Sequence, residues 1–356
     1  MKKILALTRY GSIGPSSRYR FYQYFPFFEK NNMQIIETPF FGDDYTNTIL
    51  SNNEKKFRNN SLFSFFNRIE KLLNAKNIDA FWIEKELLPW VPSKIENLFL
   101  NVNIPIITDY DDAIFHRYDE HTNFFIRFFL SQKIEKIMQK STLVIAGNKY
   151  IADYAKSSGV KKIEIIPTSI NTNKIIKSTK SNSELFSIGW IGSASTSKHI
   201  NEVSDVLKFI CKDDKISFKA IGANKKYLND IPIEILPWIE KKEVEEISNF
   251  DVGIMPLPNS SWEKGKCGLK LIQYMSCGLP VIASPIGMNK EIVDHGKNGF
   301  LAKNFDEWVK YLLKLKNNPE LRYKMGQEGF RKVSQNYSID NNSSRLINIF
   351  KQLLNI

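Results

Sequence analysis

The feature that most constrains this chain is an alternation that runs through it twice. Short Ile- and Val-rich runs are separated by longer stretches of helical periodicity, the pattern of parallel strands joined by crossover helices. The first series predicts strands at Lys3–Thr8, Gln34–Thr38, Ala80–Ile83, Ile104–Thr108, Thr142–Ala146 and Ile163–Ile166. The pattern restarts at Glu184–Ile191 and continues through Ile216–Ile221, Ile233–Leu236, Asp251–Met255 and Pro280–Ala283. Between the two lies Asn171–Asn182, polar and without apolar periodicity. The expected fold class is therefore α/β, with two Rossmann-like domains whose parallel sheets face each other across a cleft. At 356 residues the chain also exceeds what a single core usually serves. The expected boundaries are 1–170 for the first domain, 171–183 for a linker, 184–338 for the second domain and 339–356 for a terminal helical segment.

Composition narrows the function classes. Hydrophobic residues at 42% and charged residues at 25% fit a packed globular chain rather than a disordered one. No apolar run approaches the length of about 18 residues that spans a bilayer, and the N-terminal Lys2-Lys3 with Ile4–Thr8 reads as a buried strand, not a signal peptide. A cytoplasmic protein is expected. Cys211, Cys267 and Cys277 have neither metal-ligand nor disulfide-framework spacing, and the four histidines offer no zinc pattern, so no metal is expected. Lys plus Arg exceed Asp plus Glu by 50 − 38 = 12, which implies acidic partners. With no nucleic-acid motif present, phosphorylated small molecules or an anionic membrane fit better than nucleic acid.

Ligands of open α/β sheets bind outside the carboxyl ends of the strands, so the loops there are the place to look for chemistry. Strand one leads into Arg9–Arg20, with Gly11, Gly14, Arg18 and Arg20 near a helix start at Ser16 or Ser17. That is either a turn with a cap or a site for a phosphate or acidic acceptor; it lacks the third Gly of a dinucleotide fingerprint. After the fourth strand, Asp109, Asp111 and Asp112 form an acidic turn that either caps a helix or hydrogen-bonds sugar hydroxyls. In the second half, Gly192, Ser193 and Lys198 lie in a small-residue turn after the strand Glu184–Ile191. Trp238 follows the third strand of that series, either in the core or beside a nucleobase. The segment from Pro256 to Ile282 is the most informative. A loop enters a short helix whose first turn carries Lys266 and Lys270, and Gly278 ends it before a buried strand. A diphosphate at that helix start would meet amide donors, the helix dipole and two ammonium groups.

This last segment resembles the donor-binding signature of glycosyltransferase family four, through Gly268, Leu269, Met275, Gly278, Pro280, Val281 and Ile282. Gly14–Arg20, Glu84-Lys85-Glu86, Asp109–Ala113, Gly147-Asn148, Ile166–Thr168, Gly189–Ser193 and Glu291–Val293 are similar to a bacterial branch of the same family. The resemblance implies the GT-B fold, a retaining reaction, and a terminal helix that returns to the first domain. The family's paired glutamates fall on Gly265 and Gln273, and the Arg of its Arg–Lys pair falls on Ser193, with the Lys kept as Lys198. Phosphate binding by Lys198, Gly268 and Leu269 carries over. Gln273 can still bond ribose hydroxyls, whereas Gly265 has no side chain to offer the sugar.

The implied activity is transfer of a sugar from a nucleotide diphosphate sugar to a hydroxyl acceptor, without cofactor, in bacterial cell-surface polysaccharide or glycoconjugate synthesis. Lys198, Lys270 and Asp111 are the expected catalytic residues. Gly192, Ser193, Trp238, Lys266, Gly268, Leu269 and Gln273 complete the donor set, and Gly14, Arg18, Arg20 and Asp112 the acceptor side. A lipid-linked or phosphorylated glycan acceptor fits the charge. Aromatic and basic residues mingle in Phe63–Lys71 and Phe124–Lys140, either as core-facing rings or as contact with the inner face of an anionic membrane. A sugar-nucleotide epimerase and a non-catalytic sugar-binding subunit are the rival readings.

Overall fold

The computed structural model describes residues 1–43, 57–100, 103–172, 185–228 and 230–356. Most of the expected linker, 173–183, lies outside the described residues. The chain divides into two compact units. The first comprises Met1–Thr168, Gly265–Cys267 and Asn342–Ile356; the second comprises Ser169–Lys264 and Gly268–Asn341.

In the first unit β1 (Lys2–Leu7), β2 (Met33–Glu37), β3 (Ala80–Glu84), β4 (Ile106–Tyr110), β5 (Leu143–Ala146) and β6 (Ile163–Ile165) form one parallel sheet in the order β2-β1-β3-β4-β5-β6. The strands β3, β4 and β5 are buried at every position, so each starts as an unbroken apolar run rather than an alternating one, with Thr108, Asp109 and Glu84 toward the carboxyl ends. Trp82, at the centre of β3, is fully buried and packs against Phe21, Phe28 and Phe350 at ring-centroid distances of 4.2, 5.2 and 5.2 Å. Phe350 comes from the last helix, Ile339–Leu354. The terminal segment thus completes the core that the first residues begin.

The second unit repeats the plan with β7 (Phe186–Ile191), β8 (Ile216–Ile221), β9 (Glu234–Leu236), β10 (Val252–Met255), β11 (Val281–Ala283) and β12 (Gly299–Leu301), parallel in the order β12-β11-β10-β7-β8-β9. The sequence pattern had supplied five of these strands. β12 is the addition: Gly299-Phe300-Leu301 offers no Ile- or Val-rich run, and Gly299 lets its backbone close on Val281, whose carbonyl would sit 2.4 Å from an added Cβ. Helices cover Trp190, Phe218 and Ile254 on this sheet with Leu207, Trp308 and Leu312. Cys267 and Cys277 are buried free thiols and Cys211 is half-buried, so all three serve as packing groups. Among the described residues no helix is long and apolar enough to cross a membrane.

Candidate functional site

At the strand ends of the first unit the organiser is Glu84, the last residue of β3 and fully buried. Its carboxylate accepts the Arg9 amide at 2.7 Å and the hydroxyls of Ser16 and Ser17 at 2.8 and 2.5 Å. The next residue, Lys85, stands in the left-handed region at φ 67°, a conformation that costs a side chain with a Cβ and that clusters at functional sites. This turn aims its ammonium at Asp111 (2.7 Å), Ser16 (3.1 Å) and Asp112 (3.5 Å). Burial alone would pull the Lys85 ammonium down, but Asp111, Asp112 and Glu84 hold it above its usual value. Burial likewise opposes ionisation of Asp111, yet Lys85 and Ser16 keep that carboxyl below its ordinary range. Asp112 is the more open of the two and also lies 3.8 Å from Lys266.

One amide of this loop is already taken and one expectation is corrected. Asp43 accepts the Ile13 amide at 3.1 Å and the Ser12 hydroxyl at 3.2 Å. The helix that follows, Pro15–Arg20, begins with a residue that has no N–H. Gly14 itself is required sterically, since an added Cβ would lie 2.3 Å from that of Tyr10. Arg20, expected to face an acceptor, is instead buried at 2% exposure. Its Nε donates to Asp109 at 2.7 Å and its Nη1 to the Ile166 carbonyl at 2.7 Å, so it ties β4 to the end of β6. Burial raises the Asp109 carboxyl to about 6 even with Arg20 beside it. Arg18 stays half-buried, with its guanidinium 4.7 Å over the Tyr19 ring.

Behind this cluster lies a second buried network. Glu86 holds Arg9 at 3.0 Å, Lys133 at 2.7 Å and the Tyr118 hydroxyl at 2.6 Å, and Lys133 also meets Glu96 at 2.8 Å. Burial opposes the charge of Glu86, but Lys133 and Arg9 hold its carboxyl down to about 2. Glu96, with the shared lysine only partly offsetting burial, is pushed up to about 7. A smaller histidine–carboxylate group joins His116 to Asp119 at 3.0 Å and Glu120 at 3.3 Å, while its Nε2 meets the Tyr150 hydroxyl at 2.9 Å. The sequence spacing had not assembled it.

Lys266, expected with Lys270 in the first turn of one helix, is another correction: that helix begins at Leu269, and Gly265–Cys267 pack within the first unit. Asn148 donates to the Gly265 carbonyl at 2.7 Å, and Cβ atoms added to Gly265 and Gly147 would lie 2.4 Å from Ala113 Cβ and Cys267 Sγ. Burial pushes the Cys267 thiol up to about 12, so it stays protonated.

The strand ends of the second unit are built from small residues at close approach. Gly222, after β8, has φ 73°, and an added Cβ would sit 2.4 Å from the Gly192 carbonyl and 3.2 Å from Trp238 Cβ. The loops after β7, β8 and β9 are thereby pressed together. Glu243 fixes the next two candidates, accepting Trp238 Nε1 at 2.7 Å and Gln273 Nε2 at 2.9 Å. Trp238 is half-buried, so its ring is not a core residue. Ser193 precedes a 3-10 helix, Ala194–Val203, held in place when Ser197 accepts the Asn224 amide at 3.0 Å and His199 meets Glu263 at 3.1 Å. Lys198 lies between these anchors and is exposed. Gly268 caps the helix Leu269–Ser276 at φ 69°, where an added Cβ would strike Ile292 at 2.2 Å. The half-buried Lys270 in its first turn places Nζ 5.2 Å from the Trp190 ring centroid. The structure thus brings Gly192, Trp238 and Gln273 together through Gly222 and Glu243, two residues the sequence reading had not singled out.

The likenesses to known proteins agree with this plan. Residues 171–332 match the family described as glycosyl transferases group 1. An uncharacterised glycosyltransferase of Methanocaldococcus jannaschii is 27% identical over 316 residues, covering 83% of this chain and 82% of the relative. Sucrose-phosphate synthase from Thermosynechococcus elongatus superposes with a TM-score of 0.74 at 13% identity, covering 99% of both chains. The Anabaena protein HepE, solved in complex with UDP, gives 0.71 at 13% identity over 99% of this chain and 100% of the other. These structures place the fold in the GT-B class. Fold, matched segment and relative agree: residues 171–332 carry the glycosyl transferases group 1 signature within a GT-B fold.

Proposed function

We propose that the chain moves a glycosyl group from a nucleotide diphosphate sugar to a hydroxyl acceptor, with retention of anomeric configuration, in the synthesis of bacterial surface glycans at the cytoplasmic face of the membrane. The observation that carries this reading is the joint hold of Glu243 on Trp238 and Gln273 beside the glycine approach of Gly192 and Gly222. An aromatic ring and an amide fixed by one carboxylate suit a base and a ribose. Loops without Cβ atoms let phosphates come near the backbone.

Charge builds on the departing diphosphate as the glycosidic bond breaks, and prearranged cations and amides lower that barrier most. Lys198, Lys270 and the helix start at Leu269 supply them here, which makes a metal unnecessary in this scheme. In the first unit the ionised Asp111, with Asp112 and Arg18, orients acceptor or donor hydroxyls.

Thermal unfolding with UDP, GDP, ADP and TDP tests the donor assignment. One of them should stabilise the protein by about 2.7 kcal/mol at a hundred times its dissociation constant, and Lys198→Ala should remove most of that gain. Unchanged melting with every nucleoside diphosphate would overturn the reading.

A further inference from the structure

Two helices of the first unit are apolar on the side that faces water. In the helix Phe124–Leu130, Phe124, Phe125, Phe128 and Phe129 are 62–68% exposed while Leu130 is buried. Positions i, i+1, i+4 and i+5 fall on one face of a helix. The rings form a contiguous cluster, with centroid distances of 5.8 Å for Phe124–Phe125, 6.0 Å for Phe124–Phe128 and 5.0 Å for Phe128–Phe129. The helix Phe57–Leu73 does the same independently. Leu62, Phe63, Phe66 and Leu73 share one exposed face, while Arg68 and Leu72 are buried on another. Each aromatic side chain carries roughly 150–250 Å² of surface, so the first cluster alone exposes on the order of 500 Å², as large as the largest patch on an ordinary monomer.

The charges around the cluster select the partner. Between residues 121 and 140 there are four basic residues, Arg127, Lys133, Lys136 and Lys140, and one acidic residue, Glu135, a balance of 4 − 1 = +3. Lys133 is consumed by Glu86 and Glu96, whereas Lys136 and Lys140 are exposed. The neighbouring carboxylates Asp119 and Glu120 turn to His116 instead. Exposed rings followed in the sequence by exposed lysines match a surface that offers an acyl boundary beneath anionic headgroups.

We propose that the Phe124–Leu130 face inserts into the interfacial layer of a bilayer containing anionic lipid, with Lys136 and Lys140 on the headgroups. This inference does not depend on the donor chemistry, because membrane binding is read without any substrate.

The experiment is sedimentation of the full chain with vesicles of phosphatidylcholine alone or mixed with phosphatidylglycerol at seven to three. The wild type should pellet with the mixed vesicles and far less with the neutral ones. Phe124→Ser with Phe128→Ser should cut binding by about tenfold or more without lowering the melting temperature, since both rings are already exposed. Lys136→Glu with Lys140→Glu should weaken binding to the mixed vesicles alone. A wild type that stays in the supernatant with both vesicles overturns the proposal, as does undiminished pelleting of the Phe124→Ser, Phe128→Ser variant. Self-association seen by light scattering and abolished by the same serines, with no vesicle binding, would assign the face to a second copy of the chain and overturn it equally.

Discussion

The ends of β1, β3 and β4 and the ends of β7, β8 and β9 lie on two parallel sheets of six strands each, yet they are furnished in opposite ways. In the first unit nearly every charge is already answered from within: Glu84 by amide and hydroxyls, Asp111 by Lys85, Asp109 by Arg20, and the Ile13 amide by Asp43. In the second, glycines bring backbones into contact and Lys198 stands exposed. A saturated cluster holds its geometry before any ligand arrives; a sparsely furnished one leaves the ligand to supply the missing charge. Buried ion pairs return little stability but cost a great deal when one partner is removed. Charges of the first unit should therefore register in stability, and those of the second in turnover.

The largest expected effect is on Arg20. Arg20→Ala leaves Asp109 buried without its cation and should lower unfolding free energy by about 3–5 kcal/mol, read from urea denaturation. A variant as stable as the wild type would break the contrast. Next comes Lys198→Ala, which should slow transfer roughly a hundredfold, or about 2.7 kcal/mol, with melting unchanged because the side chain is exposed. If it also unfolds the protein, the two units are not as different as described.

The smallest effect sharpens the comparison inside the first unit. Glu96 has its carboxyl raised from 4.5 to about 7, so the folded chain keeps a proton that the unfolded chain releases. Stability from this group is complete below about pH 4.5 and falls as pH rises to about 7. Glu96→Gln should flatten that part of the melting profile. An unaltered profile would mean that Lys133 keeps Glu96 ionised throughout.

The fold was legible because burial on both faces writes parallel strands as apolar runs, and only β12, which has neither Ile nor Val, did not register. The sites were less legible, and each miss has a tertiary cause. Pro15–Arg20 looks like an exposed basic turn until Asp109, 89 residues away in sequence, draws Arg20 inside. Lys266 lies in a segment whose local pattern belongs to the donor signature, but Asn148 and Ala113 draw its backbone to the first unit. Lys85 and Glu84 were visible only as part of a resemblance, because nothing local marks a lysine for the left-handed region. The aromatics of Phe124–Leu130 left core and surface readings open in the sequence, and their exposure decides for the surface.

The helix that delivers Phe350 to Trp82 has a consequence for how the chain comes into being. On the ribosome, strands β1 to β6 emerge first, but the ring that closes over Trp82 and the Lys351 ammonium that meets Asn31 at 2.8 Å arrive some three hundred residues later. Nearly all of the second unit is encoded in between. The unit begun before the other is thus closed after it, and until the helix Ile339–Leu354 emerges an open apolar seam remains around Phe28 and Trp82.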